Sequence, residues 1–261
     1  MQRTGSVGSA LRQWRLRRHL SQLGLACEAD ISARHLSFVE TGRATPSREM
    51  VLRLAERLDV PLRERNSLLV AAGYAPVFPE RPLTDPALEA ARKAVELVLD
   101  GHEPYPALAI DRRWTLISAN STATRLLGDV TPALLAPPVN VLRVSLHPDG
   151  LAGRIANLAE WHAHVVSRLR RQIDLTADPA LEEILAEIKS YRPATEPPSS
   201  TDYGGVIVPL RLVTPRGILS FISTTTVFGT PVDITLSEIA LESFFPADAA
   251  TASALHAAAT R

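Results

Sequence analysis

Arg34 and Phe38 stand four residues apart in the stretch ISARHLSFVETG, residues 31–42. With Ser32 as N-cap and a helix running to about Glu40, Leu36 and Val39 form a core stripe, and Ile31 lies just before the cap. Arg34 and Phe38 then point away from that stripe. A guanidinium in such a position can donate a bidentate pair to guanine O6 and N7, and an aromatic ring can press on a thymine methyl. The chemistry this pattern offers is the reading of base edges in a DNA major groove. The competing account packs Phe38 against another part of the protein and leaves Arg34 solvated.

Other reactive residue types lead nowhere comparable. His162 and His164 lie two apart in a helical pattern, so they project about 200° from each other and cannot share a metal. His147–Gly150 reads as a turn before a helix, and Glu182 with Glu183 as a solvated face. The chain has no glycine-rich phosphate loop and no nucleophile elbow. Its single cysteine, Cys27, rules out an internal disulfide and falls in the pattern LGLACEA, where a small buried side chain is expected. Neither catalytic residues, a metal site nor a resident cofactor is expected.

The elements that position Arg34 and Phe38 are short helices. We read five in the first third: Gly8 to Arg18, Gln22 to Glu28, Ser32 to Glu40, Ser47 to Leu58 and Leu62 to Ala72. Ser21, Ser32 and the Pro46-Ser47 pair mark starts, Gly42 and Pro46 punctuate a tight loop, and Gly73 closes the last helix. The helix beginning at Gln22, a turn around Asp30 and the helix from Ser32 make a helix-turn-helix. GYAPVFPERPLTDP follows, with prolines at 76, 79, 82 and 86 that forbid regular helix. The expected division is 1–75, a proline-rich linker at 76–87, and a second domain at 88–261.

In that second domain YPALAIDRRWTLISAN reads as a β-hairpin. Helical spacing dominates from about Asn120 to Tyr191, most clearly in RIANLAEWHAHVVSRLRRQI, where Ile155, Leu158, Val165, Leu169 and Ile173 recur. RPATEPPSSTDYGG, residues 192–205, has the composition of a disordered loop. Three strands are expected at Val206 to Val213, Ile218 to Val227 and about Glu238 to Phe245, with TPRG and FGTPVD as turns. Two strands, a helical insert and a three-strand meander describe an α+β domain.

At 261 residues the chain is long enough for two cores. No apolar run reaches the roughly 18 residues of a membrane span, and MQRTGSVGSALRQWRLRR lacks a secretory apolar segment, so a cytoplasmic protein is expected. The zero net charge hides an asymmetry: residues 1–75 hold 12 arginines and no lysine against 7 acidic residues, and the remainder is acidic. Five arginines and no acid lie between Arg3 and Arg18. Such a distribution suggests a nucleic-acid partner at one end only. Arg12, Arg17, Arg18 and Arg48 are candidates for phosphate contacts, which supply most of the affinity.

Residues 8–73 resemble the helix-turn-helix of lambda-type phage repressors and the xenobiotic-response-element class of regulators. Ser21-Gln22, Leu25-Ala26, Ile31-Ser32, Leu36-Ser37, Val39-Glu40, Gly42 and Pro46-Ser47 carry the likeness. The resemblance implies a base-facing set of Gln22, Ala33, Arg34 and Phe38, with Ser32, Ser37 and Arg43 near phosphates. It also implies a structural pair of Arg15 with Glu40. Repressors of this class often carry polar residues at the positions of Ala33 and Phe38, so the departure here bears on which bases are read.

The second domain is similar to the MmyB-like ligand-binding domain, a PAS-like module, over about residues 88–256, through HEPYPALAIDRRWTLISAN, LHPDGL, NLAEWHAHVVSRLRRQ and FGTPVDITLSEIALESFFPAD. That likeness implies helices across a five-stranded antiparallel sheet and a fatty-acid-like or other small apolar ligand. Leu108, Ile110, Trp114, Leu116, Leu158 and Trp161 are candidates to line a pocket, or else serve as ordinary core. The expectation is a dimeric, sequence-specific regulator on double-stranded DNA, with no membrane partner. Two rivals stand beside it: a second domain that only dimerises or binds protein, and an enzyme fused to a DNA-binding domain.

Overall fold

The computed structural model describes residues 6–128, 130–191, 207–229 and 231–259. It divides into two compact units. The first takes in the N-terminal stretch to Arg81 together with Asp174–Thr176 and Pro231–Ser237, and the second holds the remainder.

Five helices build most of the first unit: α1 (Val7–Arg17), α2 (Gln22–Glu28), α3 (Ala33–Glu40), α4 (Arg48–Arg57) and α5 (Leu62–Ala71). Four start at a serine whose hydroxyl accepts a first-turn amide: Ser6, Ser21, Ser32 and Ser47. Each such cap contributes about 1 kcal/mol. All five stop on a left-handed residue, His19, Asp30, Gly42, Asp59 and Gly73 in turn. At each stop the next amide donates to the carbonyl five residues back, as from Ile31 to Ala26 at 3.0 Å. Leu11, Leu25, Leu36, Leu54, Leu58 and Leu69 are fully buried and form the core of this unit. The proline-rich stretch is also anchored here, because Asn66 accepts from the amides of Val77 and Phe78 and donates to the Phe78 carbonyl.

The second unit is organised by a five-stranded antiparallel sheet in the order β2-β1-β5-β4-β3. The strands are β1 (Ala107–Ile110), β2 (Leu116–Ala119), β3 (Leu210–Thr214), β4 (Gly217–Val227) and β5 (Ala240–Pro246). The hairpin, the helical insert and the closing meander all appear where periodicity places them. Gly217, at φ +117°, makes the β3–β4 turn that TPRG announces. Between β2 and β3 run α7 (Ser121–Leu126), α8 (Val141–Leu146), α9 (Leu158–Thr176) and α10 (Pro179–Ser190). Their apolar faces meet Ile110, Leu212, Leu219 and Phe221 of the sheet in one buried core.

Some expectations need correction. The periodic helix starts at Leu158 and not at Arg154: Ile155 instead pairs with Leu212 in an isolated antiparallel bridge. Three helices go beyond the sequence reading: α6 (Glu89–Gly101) against β1, the short α11 (Ile234–Ser237), and α12 (Ala249–Ala259) against β4 and β5. The loop read at 192–205, like Val206 of the third predicted strand, lies outside the described residues.

Gly8 fixes how closely α1 approaches α3. A Cβ there would sit 2.0 Å from the Val39 carbonyl oxygen, so α1 must retreat to admit one. Gly8→Ala is expected to lower stability by about 1–3 kcal/mol through this overpacking. A fall in urea midpoint with unchanged m-value checks it, and an unchanged midpoint contradicts it.

Candidate DNA-binding face and ligand cavity

The α2–turn–α3 segment is built from the cap residues already described. Asp30 takes φ +52°, the chain reverses, and Ser32 restarts the helix by accepting from the His35 amide at 3.1 Å. Leu36 and Val39 are buried as expected. Arg34 is exposed, while Phe38 is half-buried, which corrects the expectation of a freely presented ring. Two features account for it: the Arg34 guanidinium lies 5.4 Å from the ring centroid, and the amides of Arg43 and Ala44 fold back onto the Phe38 carbonyl. An exposed cation–π contact is worth about 0.5–1 kcal/mol, and a bidentate contact to guanine about 1–3 kcal/mol. The contact with the ring is thus weak enough for Arg34 to exchange it for another partner.

Ser32 and Arg43 are exposed, and Ala33 and Ser37 are half-buried on the same helix or its flanking turn. Gln22 is placed differently from the other base-facing candidates, because its side-chain amide donates to Glu40 at 2.8 Å. Arg18 is removed from the phosphate candidates. Its guanidinium donates to the carbonyls of Leu58 and Asp59, and burial lowers its pKa. Arg12 and Arg48 remain exposed. Cys27 is also exposed and not buried, because it falls on the outer side of a seven-residue helix whose core contacts are Leu25 and Ala26.

Beneath this face Arg15 and Glu40 form a bidentate pair at 2.7 and 2.8 Å, with side chains 7% and 1% exposed. A third nitrogen of Arg15 donates to the Leu20 carbonyl at 2.8 Å. Burial alone would raise the Glu40 pKa, but the hydrogen bonds from Arg15 and Gln22 outweigh it and hold the carboxyl below its ordinary value. One carboxylate thus joins α1, α2 and α3.

In the second unit a cavity of about 110 Å³ lies between the sheet and α7, α8 and α9, partly open to solvent. Leu108, Trp114, Leu116 and Trp161 line it. Ile110 and Leu158 do not. Ile110 follows a register shift after Ala109 and belongs to the buried core, and Leu158, in the first turn of α9, packs against that core. Trp114 is held at φ +65° in the β1–β2 turn, and its indole donates to Gln172 at 2.8 Å. The Trp161 indole donates to the Ser145 hydroxyl at 3.0 Å.

Polar lining residues that sequence reasoning missed are Arg168, Glu242, Ser145 and Ser223. Trp161, Val165 and Arg168 recur at helical spacing, a signal that could have found the arginine. Glu242 inside the apolar strand ALESFF was the other signal, since a carboxylate there needs a partner. The two helix histidines are otherwise occupied: His162 bonds the Ile188 carbonyl at 2.8 Å, and His164 stacks on Trp161. Among the described residues no group of three or more His, Cys, Asp or Glu is placed to hold a metal, and no helix is long and apolar enough to cross a membrane.

A family model described as the MmyB-like transcription regulator ligand binding domain matches residues 91–258, and a helix-turn-helix model matches residues 11–65. The chain belongs to the MmyB-like transcription regulators. No curated protein matches it. This MmyB-like regulator is a DNA-binding transcription regulator with a ligand-binding domain, and the two matches fall on the helical unit and on the sheet unit that holds the cavity.

Glu40 gives the MmyB-like regulator a pH-dependent tie. The stability it contributes is complete above the ordinary carboxylate pKa and is lost as pH falls through the lower folded value. Glu40→Ala leaves Arg15 buried without its partner and is expected to cost about 3–5 kcal/mol near pH 7. Urea unfolding of both proteins should show that difference shrinking as pH falls from about 5 to about 3. A constant difference across that range would refute the assignment.

Proposed function

We propose that the protein is a dimeric, sequence-specific operator-binding regulator whose second domain senses a small apolar molecule. The observation that carries the DNA half is the capped α3, with Arg34 exposed beside Phe38 on the side away from Leu36 and Val39. In this reading Arg34 donates to a guanine, Phe38 and Ala33 meet thymine methyls, and Gln22 contributes from the start of α2. Ser32, Ser37 and Arg43 contact phosphates and set the register. One such module buries only about 600–1,000 Å² on DNA, so two copies on two half-sites make the binding unit.

The sensing half is supported by the apolar cavity and its two indoles. A benzene-sized void is about 150 Å³, so this cavity suits a slender hydrocarbon, or one segment of a fatty-acid-like chain that emerges through the opening. Ligand binding changes operator affinity only by the ligand's differential affinity for the DNA-competent and incompetent states. The protein acts in the cytoplasm, where its operator lies.

Selection from a randomised DNA library at one fixed salt concentration tests the DNA half. Wild type should enrich a motif of two half-sites. Arg34→Ala and Phe38→Ala should each relax one position of it, by roughly 1–3 kcal/mol per lost contact. A single half-site argues against the dimer, and mutants that keep the motif unchanged argue that Phe38 and Arg34 only support one another.

A further inference from the structure

Of the described residues lining the cavity, two are charged, Arg168 and Glu242. Glu242 is 3% exposed, and both its oxygens accept from the Arg168 guanidinium, one at 2.9 Å. The Thr225 hydroxyl donates to the same carboxylate at 2.9 Å and itself accepts from Arg168. The guanidinium also lies 4.6 Å from the Trp114 ring centroid. The charged end of the cavity is therefore already neutral and hydrogen-bonded.

That arrangement sets a condition on the ligand. An anionic head group that approaches Arg168 also meets the Glu242 carboxylate, and if it captures the guanidinium it leaves Glu242 buried without a counter-charge. A cationic head group faces the converse. His164 adds no compensating positive charge, because burial, with Arg168 and Arg171 nearby, lowers its pKa. Trp161 lies seven residues back along the same face of α9, a rise of about 10 Å, and its indole donates to the hydroxyl of Ser145 on α8. A hydroxyl has one proton and two lone pairs, so Ser145 keeps a donor for an uncharged oxygen.

We propose that this cavity selects uncharged amphiphiles, molecules that join a slender apolar body to a hydroxyl, ester or ketone oxygen, over ionised carboxylates of the same length. The proposal rests on the reading that the cavity is the ligand site, and it names the class of ligand that site takes.

Isothermal titration of the full chain with 1-octanol and with sodium octanoate, at about pH 7.5, separates the two. The alcohol should bind at least about tenfold more tightly than the carboxylate. Equal or tighter binding of octanoate overturns the selectivity while leaving the ligand site in place. If neither probe binds, the ligand-site reading falls and this inference falls with it. Glu242→Gln frees Arg168 from its counter-charge and should strengthen octanoate binding by about tenfold with octanol little changed. A folded variant with unchanged octanoate affinity overturns the role given to Glu242, and the wild-type pair decides the matter if the variant does not fold.

Discussion

The presentation of α3 depends on one buried carboxylate. Glu40 sits at the last turn of α3, receives two hydrogen bonds from Arg15 of α1 and a third from Gln22 of α2, and is almost fully enclosed. A buried ion pair adds little net stability over an apolar substitute, because desolvation offsets most of the attraction. Its geometry is another matter. Leucines sliding past one another would tolerate several helix angles, whereas a bidentate guanidinium–carboxylate pair accepts one. Gly8, where α1 meets the Val39 carbonyl, narrows the choice further. Both constraints act on the residues just behind Arg34 and Phe38, so the rotation of α3 about its own axis is set where the proposed base reading needs it.

A second buried pair organises the other unit, with a different consequence. Arg168 and Glu242 join α9 to β5 across the wall of the cavity. The sheet alternation places Leu108, Ser223, Glu242 and Phe244 on one face, with Thr225 opposite Glu242 in register. Among the described residues that line the cavity, charge is confined to this pair, and there it is self-neutralised. In the proposed ligand site, the pair that secures the helix to the sheet is thus also the group that a head group inside the cavity meets.

Much of this was legible from local signals. Serine caps and apolar periodicity located the five N-terminal helices, and strand alternation with Gly217 located the meander. The Arg15–Glu40 pair came through resemblance, since residues 25 apart leave no local trace of their contact. The misses have physical causes. Arg18 looks like any solvated arginine until the carbonyls of Leu58 and Asp59 are placed beside it. EAARKAVELVLDG had a clear apolar stripe and was overshadowed by the prolines before it, while alanine-rich α12 has almost no stripe to detect. Ile155 obeys the helical period yet forms a bridge to Leu212, an instance of tertiary pairing overriding pattern.

The cavity's size bounds what any molecule within it can do to DNA binding. Burying about 100 Å² of apolar ligand surface contributes about 2.5 kcal/mol at 25 cal/mol per Å². The coupling between ligand and operator cannot exceed the difference in ligand affinity between the two states, even if one state lacks the cavity entirely. The apolar contribution alone corresponds to a change of under about a hundredfold in operator affinity per site. In the proposed dimer, two half-sites on one operator double the free energy available, because both copies must adopt the same state to engage both halves. A small apolar site in the proposed dimer therefore gives a steeper response than the same cavity would in a single copy.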